Sequence, residues 1–199
     1  MINSKFTIVT FYKFKKIQDI LKIKNELYHH CKFNKIKGTI ILATEGINVT
    51  IAGMLVDIKN FESYISFLGF NDYKPKYSYS KFMPFFRLKI RVKKEIVTLR
   101  TKIADPENIT GKKIQPEEWN NIILDNKTIL IDVRNDFEVE MGTFKGSLNP
   151  NTKNFSEFKS YLKNNLETAK KRKIAMFCTG GIRCEKISSY MIKKGFKDV

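Results

Sequence analysis

The chain carries one cysteine in a setting that favours chemistry. Cys178 closes the apolar run Lys173-Ile-Ala-Met-Phe and is followed by Thr179-Gly180-Gly181-Ile182-Arg183-Cys184-Glu185. A short apolar run between a charge cluster and a Gly-Gly break predicts a buried strand, and Glu185 onward has helical periodicity ended by Gly195, so a helix is expected from near Cys184. The loop from Cys178 to Arg183 therefore joins a strand end to a helix start. Free backbone N–H groups and the positive end of a helix dipole converge there, and Arg183 adds a formal charge. Such surroundings favour a thiolate, the form that makes cysteine nucleophilic and oxidisable. The alternative is a core cysteine that happens to end a strand. Cys184 either resolves an oxidised Cys178 or packs at the helix cap. Cys31, in the last turn of an earlier expected helix, reads as structural. His29 and His30 beside it have no carboxylate or cysteine at ligand spacing. Three cysteines in all suit neither a disulfide framework nor a four-ligand zinc site, and point to reduced thiols.

The elements that must position Cys178 lie in the second half. Pro116 to Leu124 opens a short helix with Glu117 and Glu118 in its first turn and Trp119 as a packing residue. A strand over 129–133, a loop through Asn149-Pro150, a helix over about 154–171 and the strand to Cys178 follow. Alternation of strand and helix predicts a parallel sheet with its site at the strand C-termini. Residues 101–115 are polar, with Asp105-Pro106 and Gly111, and read as an interdomain linker.

The first half gives strand 5–14, helix 17–33, a hairpin of strands 38–44 and 47–53 around Glu45-Gly46, helix 55–68 and strand 72–80. That order is the split βαβ, ferredoxin-like arrangement. Gly46 is expected to supply an unusual φ, while Glu45 and Asn48 either shape the turn or face a ligand. Then Arg87, Lys89, Arg91 and Lys93 alternate with Leu88, Ile90 and Val92, placing four cations on one strand face. With Phe82, Phe85 and Phe86 nearby, this is an RNA-contacting candidate, or a solvated edge whose charges discourage strand pairing.

Across 199 residues, 37 Lys plus Arg against 20 Asp plus Glu leave a formal net charge of +17. A polyanionic partner is one inference, and compositional bias of the source genome is the other. No run of apolar residues is long enough for a membrane span and no signal-peptide pattern opens the chain, so a soluble, cytoplasmic protein is expected, without a membrane partner.

Asp132-Val133-Arg134, Glu138, the Gly142 and Gly146 turns, Asn149-Pro150 and the Cys178–Arg183 loop together resemble a rhodanese domain. The whole chain, through Thr10-Phe-Tyr-Lys13, Glu45-Gly-Ile-Asn48, Lys94-Glu-Ile-Val97, Pro116 with Trp119, and Cys178 to Glu185, resembles the bacterial tRNA wobble-uridine hydroxylases. The resemblance implies a ferredoxin-like, basic, tRNA-binding domain over 1–100, a linker over 101–115 and a rhodanese-like domain over 116–199, an α+β unit followed by an α/β unit. It implies oxygen-dependent conversion of the wobble uridine to 5-hydroxyuridine, with Cys178 essential, Thr179 to Arg183 as its cradle, and Asp132, Arg134 and Cys184 supporting it. tRNA is the implied partner and O2 the co-substrate. No cofactor or metal signature is evident, and the reductant is left unidentified. A rhodanese-type sulfurtransferase carrying a persulfide on Cys178 is the alternative, and an inactive RNA-binding remnant a third reading. The family pattern also implies a further strand and helix beyond Val199, so the rhodanese-like domain is expected to be incomplete there. Thr143 stands where rhodanese domains commonly have histidine.

Overall fold

A computed structural model describes residues 5–199. The chain divides into two compact units, Met1–Ile96 and Val97–Val199. In the first, β1 (Phe6–Phe14), α1 (Ile20–Phe33), β2 (Lys37–Ala43), β3 (Gly46–Gly53), α2 (Leu55–Phe67) and β4 (Lys76–Ser80) follow in order, and β5 (Leu88–Val92) completes a sheet of order β4-β1-β3-β2-β5. The first four strands are antiparallel, as the split βαβ reading requires, while β5 runs parallel to β2 on the outside edge.

Alternation along the strands fixes which face is covered. Val9 and Phe11 on β1, Ile40 and Leu42 on β2, and Val49 and Ile51 on β3 are buried against Leu27 and Cys31 of α1 and Ile58, Phe61 and Ile65 of α2. Helix α1 starts three residues later than its apolar residues suggest, because Asp19 caps it by accepting from the Lys22 N–H at 3.0 Å. Leu21 and Tyr28 of α1 lie on its outer side, 66% and 42% exposed. Gly46 begins β3 at φ 149°, and a Cβ there would sit 2.1 Å from the Lys13 carbonyl oxygen, so no other residue fits that close approach.

The second unit is built on α3 (Pro116–Ile123), β6 (Ile129–Asp132), α4 (Asp136–Glu140), α5 (Phe158–Asn165), β7 (Ile174–Phe177) and α6 (Ile182–Lys193). β6 and β7 pair in parallel, Ile129 opposite Ile174 and Asp132 opposite Phe177. Single bridges extend the ladder from Leu148 to Ile131 and from Asp198 to Lys173. Its core gathers Ile131, Val133, Phe158, Leu162, Ile187 and Met191.

Three local differences from the expected elements have physical causes. The helix expected over 154–171 is broken into α5 between two 3-10 turns, because weak helix formers Asn164 and Asn165 end it and Leu166 and Ala169 turn into the core. The segment expected as loop after β6 contains α4, five residues long, started where the Glu138 carboxylate accepts from the Asn135 N–H and the Glu138 N–H donates to the Asn135 carbonyl. Helix α6 begins at Ile182 rather than near Cys184, since Gly181 takes a left-handed φ of 92° and turns the chain into the helix early.

The polar stretch 101–115 is fastened to the second unit. The Asp105 and Gly111 N–H groups donate to the hydroxyls of Ser189 and Ser188 on α6, at 2.8 and 3.0 Å, and Lys112 N–H donates to the Val199 carbonyl at 2.9 Å. Just before it, Leu99 is fully buried, and the buried Lys186 reaches the Val97 carbonyl at 2.9 Å.

Candidate active site

Parallel β6 and β7 end side by side, so the residues after each strand meet at one end of the sheet. From β7 comes Cys178, and from β6 come Asp132 and Arg134. Cys178 is half-buried, Thr179 and Gly180 are exposed, and Gly181 returns its N–H to the Cys178 Sγ at 3.1 Å. The Cys184 thiol and backbone N–H, from the first turn of α6, also donate to that sulfur. These donors, led by the Cys184 thiol and joined by the Arg183 charge, outweigh burial and lower the Cys178 pKa to about 5. At neutral pH the sulfur is a thiolate. The partner thiol moves the opposite way: donation to Cys178, reinforced by burial, pushes Cys184 well above its ordinary value.

Arg183 reaches the site paired rather than as a free cation. Its guanidinium forks onto Glu138 of α4, Nη1 to Oε2 at 2.6 Å and Nη2 to Oε1 at 2.8 Å. Thr179 donates its hydroxyl to the same carboxylate at 2.8 Å and accepts from Arg183 Nη2 at 3.2 Å, while Asn135 N–H donates to Oε2 at 3.1 Å. Arg183 above all, then Thr179 and Asn135, holds Glu138 down at about 2 against its burial. Glu138 thus fixes both the loop tip and the helix start that bracket the sulfur. It entered the sequence reading only as part of the resemblance. The local signal for it was Asn135-Asp-Phe-Glu138 itself, an N-cap residue followed three later by glutamate.

A second ion pair lies behind the first. Asp132 is fully buried and accepts from Arg134 N–H and Nε at 3.0 Å, from Arg134 Nη2 at 2.7 Å and from the Thr143 hydroxyl at 2.7 Å. Burial alone would raise its pKa, and these donors more than offset it. Arg134 also donates to the Gly142 carbonyl at 2.5 Å and lies over the Phe177 ring at 5.8 Å. Thr143, at the position where histidine is common in rhodanese domains, acts here as a hydroxyl donor to a buried carboxylate. Trp119 packs edge-on to Phe144 and Phe177, as a packing residue does.

Glu45 and Asn48 in the first unit are engaged with backbone: Glu45 Oε1 accepts from the Ile96 N–H at 2.7 Å, and Asn48 Nδ2 donates to the Ile96 carbonyl at 3.4 Å. Arg87, Lys89, Arg91 and Lys93 lie on or beside β5, with Lys89 opposite Thr39 and Arg91 opposite Ile41. Arg87, Arg91 and Lys93 are exposed and Lys89 half-buried, and Phe82 and Phe86 nearby are 80% and 99% exposed. His30 stacks on Tyr64 at 4.2 Å, and Cys31 is sealed in the core, its pKa pushed up to about 12 by burial. Among the described residues no group of three or more His, Cys, Asp or Glu could hold a metal ion, and no helix is long and apolar enough to cross a membrane.

Comparison with known proteins matches each unit separately. Residues 6–96 match the UPF0176 acylphosphatase like domain, and residues 115–199 match the Rhodanese-like domain. Over 98% of its length the chain is 47% identical to a tRNA uridine(34) hydroxylase of Acaryochloris marina (strain MBIC 11017), of which it spans 64%. Among solved structures, full-length HypF in its phosphate- and nucleotide-bound form matches 44% of this chain and 12% of that one at 14% identity. Its TM-score is 0.31. The chain is thus similar over nearly its whole length to a protein named tRNA uridine(34) hydroxylase, and its two units match an acylphosphatase like domain and a Rhodanese-like domain in turn.

Proposed function

We propose that this protein hydroxylates the wobble uridine of tRNA anticodons to 5-hydroxyuridine, with O2 as co-substrate and Cys178 as the catalytic nucleophile. The observation that carries the reading is the Cys178 thiolate, held by the Gly181 and Cys184 N–H groups in a chain that is 47% identical to a tRNA uridine(34) hydroxylase. A uracil ring is electrophilic at C6. Addition of the Cys178 thiolate there makes C5 carbanion-like and able to meet an oxidant. The loop N–H groups and the Arg183–Glu138 pair keep the sulfur's position and charge fixed while this happens.

Recognition of tRNA falls to the first unit. The cations Arg87, Lys89, Arg91 and Lys93 track phosphates from the outer edge of its sheet, with Phe82 and Phe86 free to stack on unpaired bases. Glu45 and Asn48 serve this surface indirectly, by clasping Ile96 where the chain leaves the unit. Its substrate places the enzyme in the cytoplasm. A low-pKa thiolate on a strand-to-helix loop is also what persulfide carriage requires, so sulfur transfer by Cys178 is the second reading.

Nucleoside mass spectrometry of tRNA from cells with and without the gene, complemented by wild type and by Cys178→Ala, separates the two. Hydroxylation predicts 5-hydroxyuridine that wild type restores and Cys178→Ala does not. Unchanged nucleosides together with thiosulfate-to-cyanide transfer by the purified protein would establish sulfur transfer instead.

A further inference from the structure

Inserting one atom of O2 into a uridine C–H bond leaves the second oxygen atom to be reduced to water, which takes two electrons and two protons. Cys178 and Cys184 are placed to hold that pair. They stand at the two ends of one loop, Cys178 after β7 and Cys184 in the first turn of α6, with the Cys184 thiol donating directly to the Cys178 sulfur. Helix α6, anchored along its length by Ile187 and Met191 in the core, holds Cys184 against its partner.

We propose that Cys178 and Cys184 form a dithiol–disulfide couple that reduces the oxygen left over from hydroxylation, with Cys184 as the resolving thiol. The proposal rests on the hydroxylase reading above. O2 adds at the carbanion-like C5 to give a hydroperoxide. Loss of the C5 proton and departure of Cys178 from C6 restore the ring double bond. The freed Cys178 sulfur attacks the outer peroxide oxygen, the O–O bond breaks, and uridine keeps the inner oxygen as its hydroxyl. Cys178 is left as a sulfenic acid. The Cys184 sulfur then attacks Cys178, the S–O bond breaks, the S–S bond forms and water leaves. In sum, uridine, O2 and two thiols give 5-hydroxyuridine, one disulfide and one water, and an external dithiol must reopen the disulfide before the next cycle.

The electrostatics give the couple its order. While Cys178 is a thiolate, its demand for the Cys184 proton keeps Cys184 protonated and unreactive. A sulfenic acid is neutral, so oxidation of Cys178 removes that restraint when a resolving nucleophile is needed. Cys31 cannot substitute, being fully buried in the core of the first unit.

The test uses full-length protein, reduced and then freed of reductant, mixed with an unmodified tRNA transcript carrying uridine at the wobble position and exposed to air. Trypsin cuts after Lys173, Arg183 and Lys186, so the two cysteines fall on separate peptides, Ile174–Arg183 and Cys184–Lys186. Wild type is expected to stop near one 5-hydroxyuridine per chain, with an equal yield of the two peptides joined by a disulfide, and to resume when dithiothreitol is added. Cys184→Ser is expected to form no disulfide and to leave Cys178 as a sulfenic acid trapped by dimedone. Hydroxyuridine formed while both thiols remain open to alkylation would overturn the couple and leave the hydroxylase reading intact. If wild type makes no hydroxyuridine, that reading fails, and one equivalent of hydrogen peroxide decides the couple separately: the joined peptides support it, and Cys178 sulfenic acid trapped by dimedone with free Cys184 overturns it.

Discussion

Glu138→Gln removes the negative charge to which Arg183 and Thr179 are tied, and its cost can be worked from the structure. In the folded protein Glu138 titrates at about 2 instead of its ordinary 4.5. At 1.36 kcal/mol per pKa unit, that depression corresponds to about 3 kcal/mol in favour of the folded, ionised state. Both partners are mostly buried, with side chains 14% and 18% exposed for Arg183 and Glu138, so solvent screening trims this figure rather than erasing it. The sign follows from the depression. The stabilisation is fully present above pH 4.5 and is lost as pH falls toward 2. The assay is urea unfolding followed by fluorescence of Trp119, the single tryptophan, whose ring neighbours Phe144 and Phe177 belong to the same unit. At pH 7 Glu138→Gln should be less stable than wild type by about 2 kcal/mol, the screened part of that figure, with an unchanged denaturant slope. The gap should narrow steadily below pH 4.5. A difference under about 0.5 kcal/mol at pH 7, or one of the same size at pH 3, would refute the Arg183–Glu138 account.

Three further outcomes are expected. The rate of Cys178 alkylation by iodoacetamide should reach half its plateau near pH 5, and Cys184→Ala should move that midpoint upward, since the Cys184 thiol is the largest of the lowering influences. Glu45→Ala leaves the buried Ile96 N–H without its acceptor, so the first unit should lose about 1–3 kcal/mol, visible as faster hydrogen exchange at that amide. Alanine at Arg87, Lys89 and Arg91 together should weaken tRNA binding and flatten its log–log salt slope by about 2, whereas an unchanged slope would detach β5 from RNA recognition.

What the sequence displays and what it conceals divide by the range of the interactions. Strict alternation over 87–93 marked β5, and the strand-loop-helix pattern after Lys173 located Cys178 at a strand end, because a period of two and a Gly-Gly break are local signals. The start of α6 was displaced by two residues, because the left-handed Gly181 turns the chain sooner than side-chain periodicity reveals. Contacts between distant positions left no such mark. Nothing near Arg183 announces that Glu138, on a five-residue helix after a different strand, neutralises it. Likewise residues 101–115 read as a polar interdomain linker, while Ser189 and Ser188 on α6 accept from the Asp105 and Gly111 N–H groups. Glu45 and Asn48 read as turn or ligand residues, yet their partner is the backbone of Ile96.

The central claim is that Cys178 is the nucleophile of a tRNA uridine hydroxylase. Purified wild type and Cys178→Ser, each incubated with an unmodified tRNA transcript and dithiothreitol under 18O2, test it most directly by mass spectrometry of the released nucleosides. The account predicts 5-hydroxyuridine carrying one heavy oxygen from wild type and none from Cys178→Ser. Hydroxyuridine formed by Cys178→Ser at the wild-type level, or formed by wild type without the label, would contradict it.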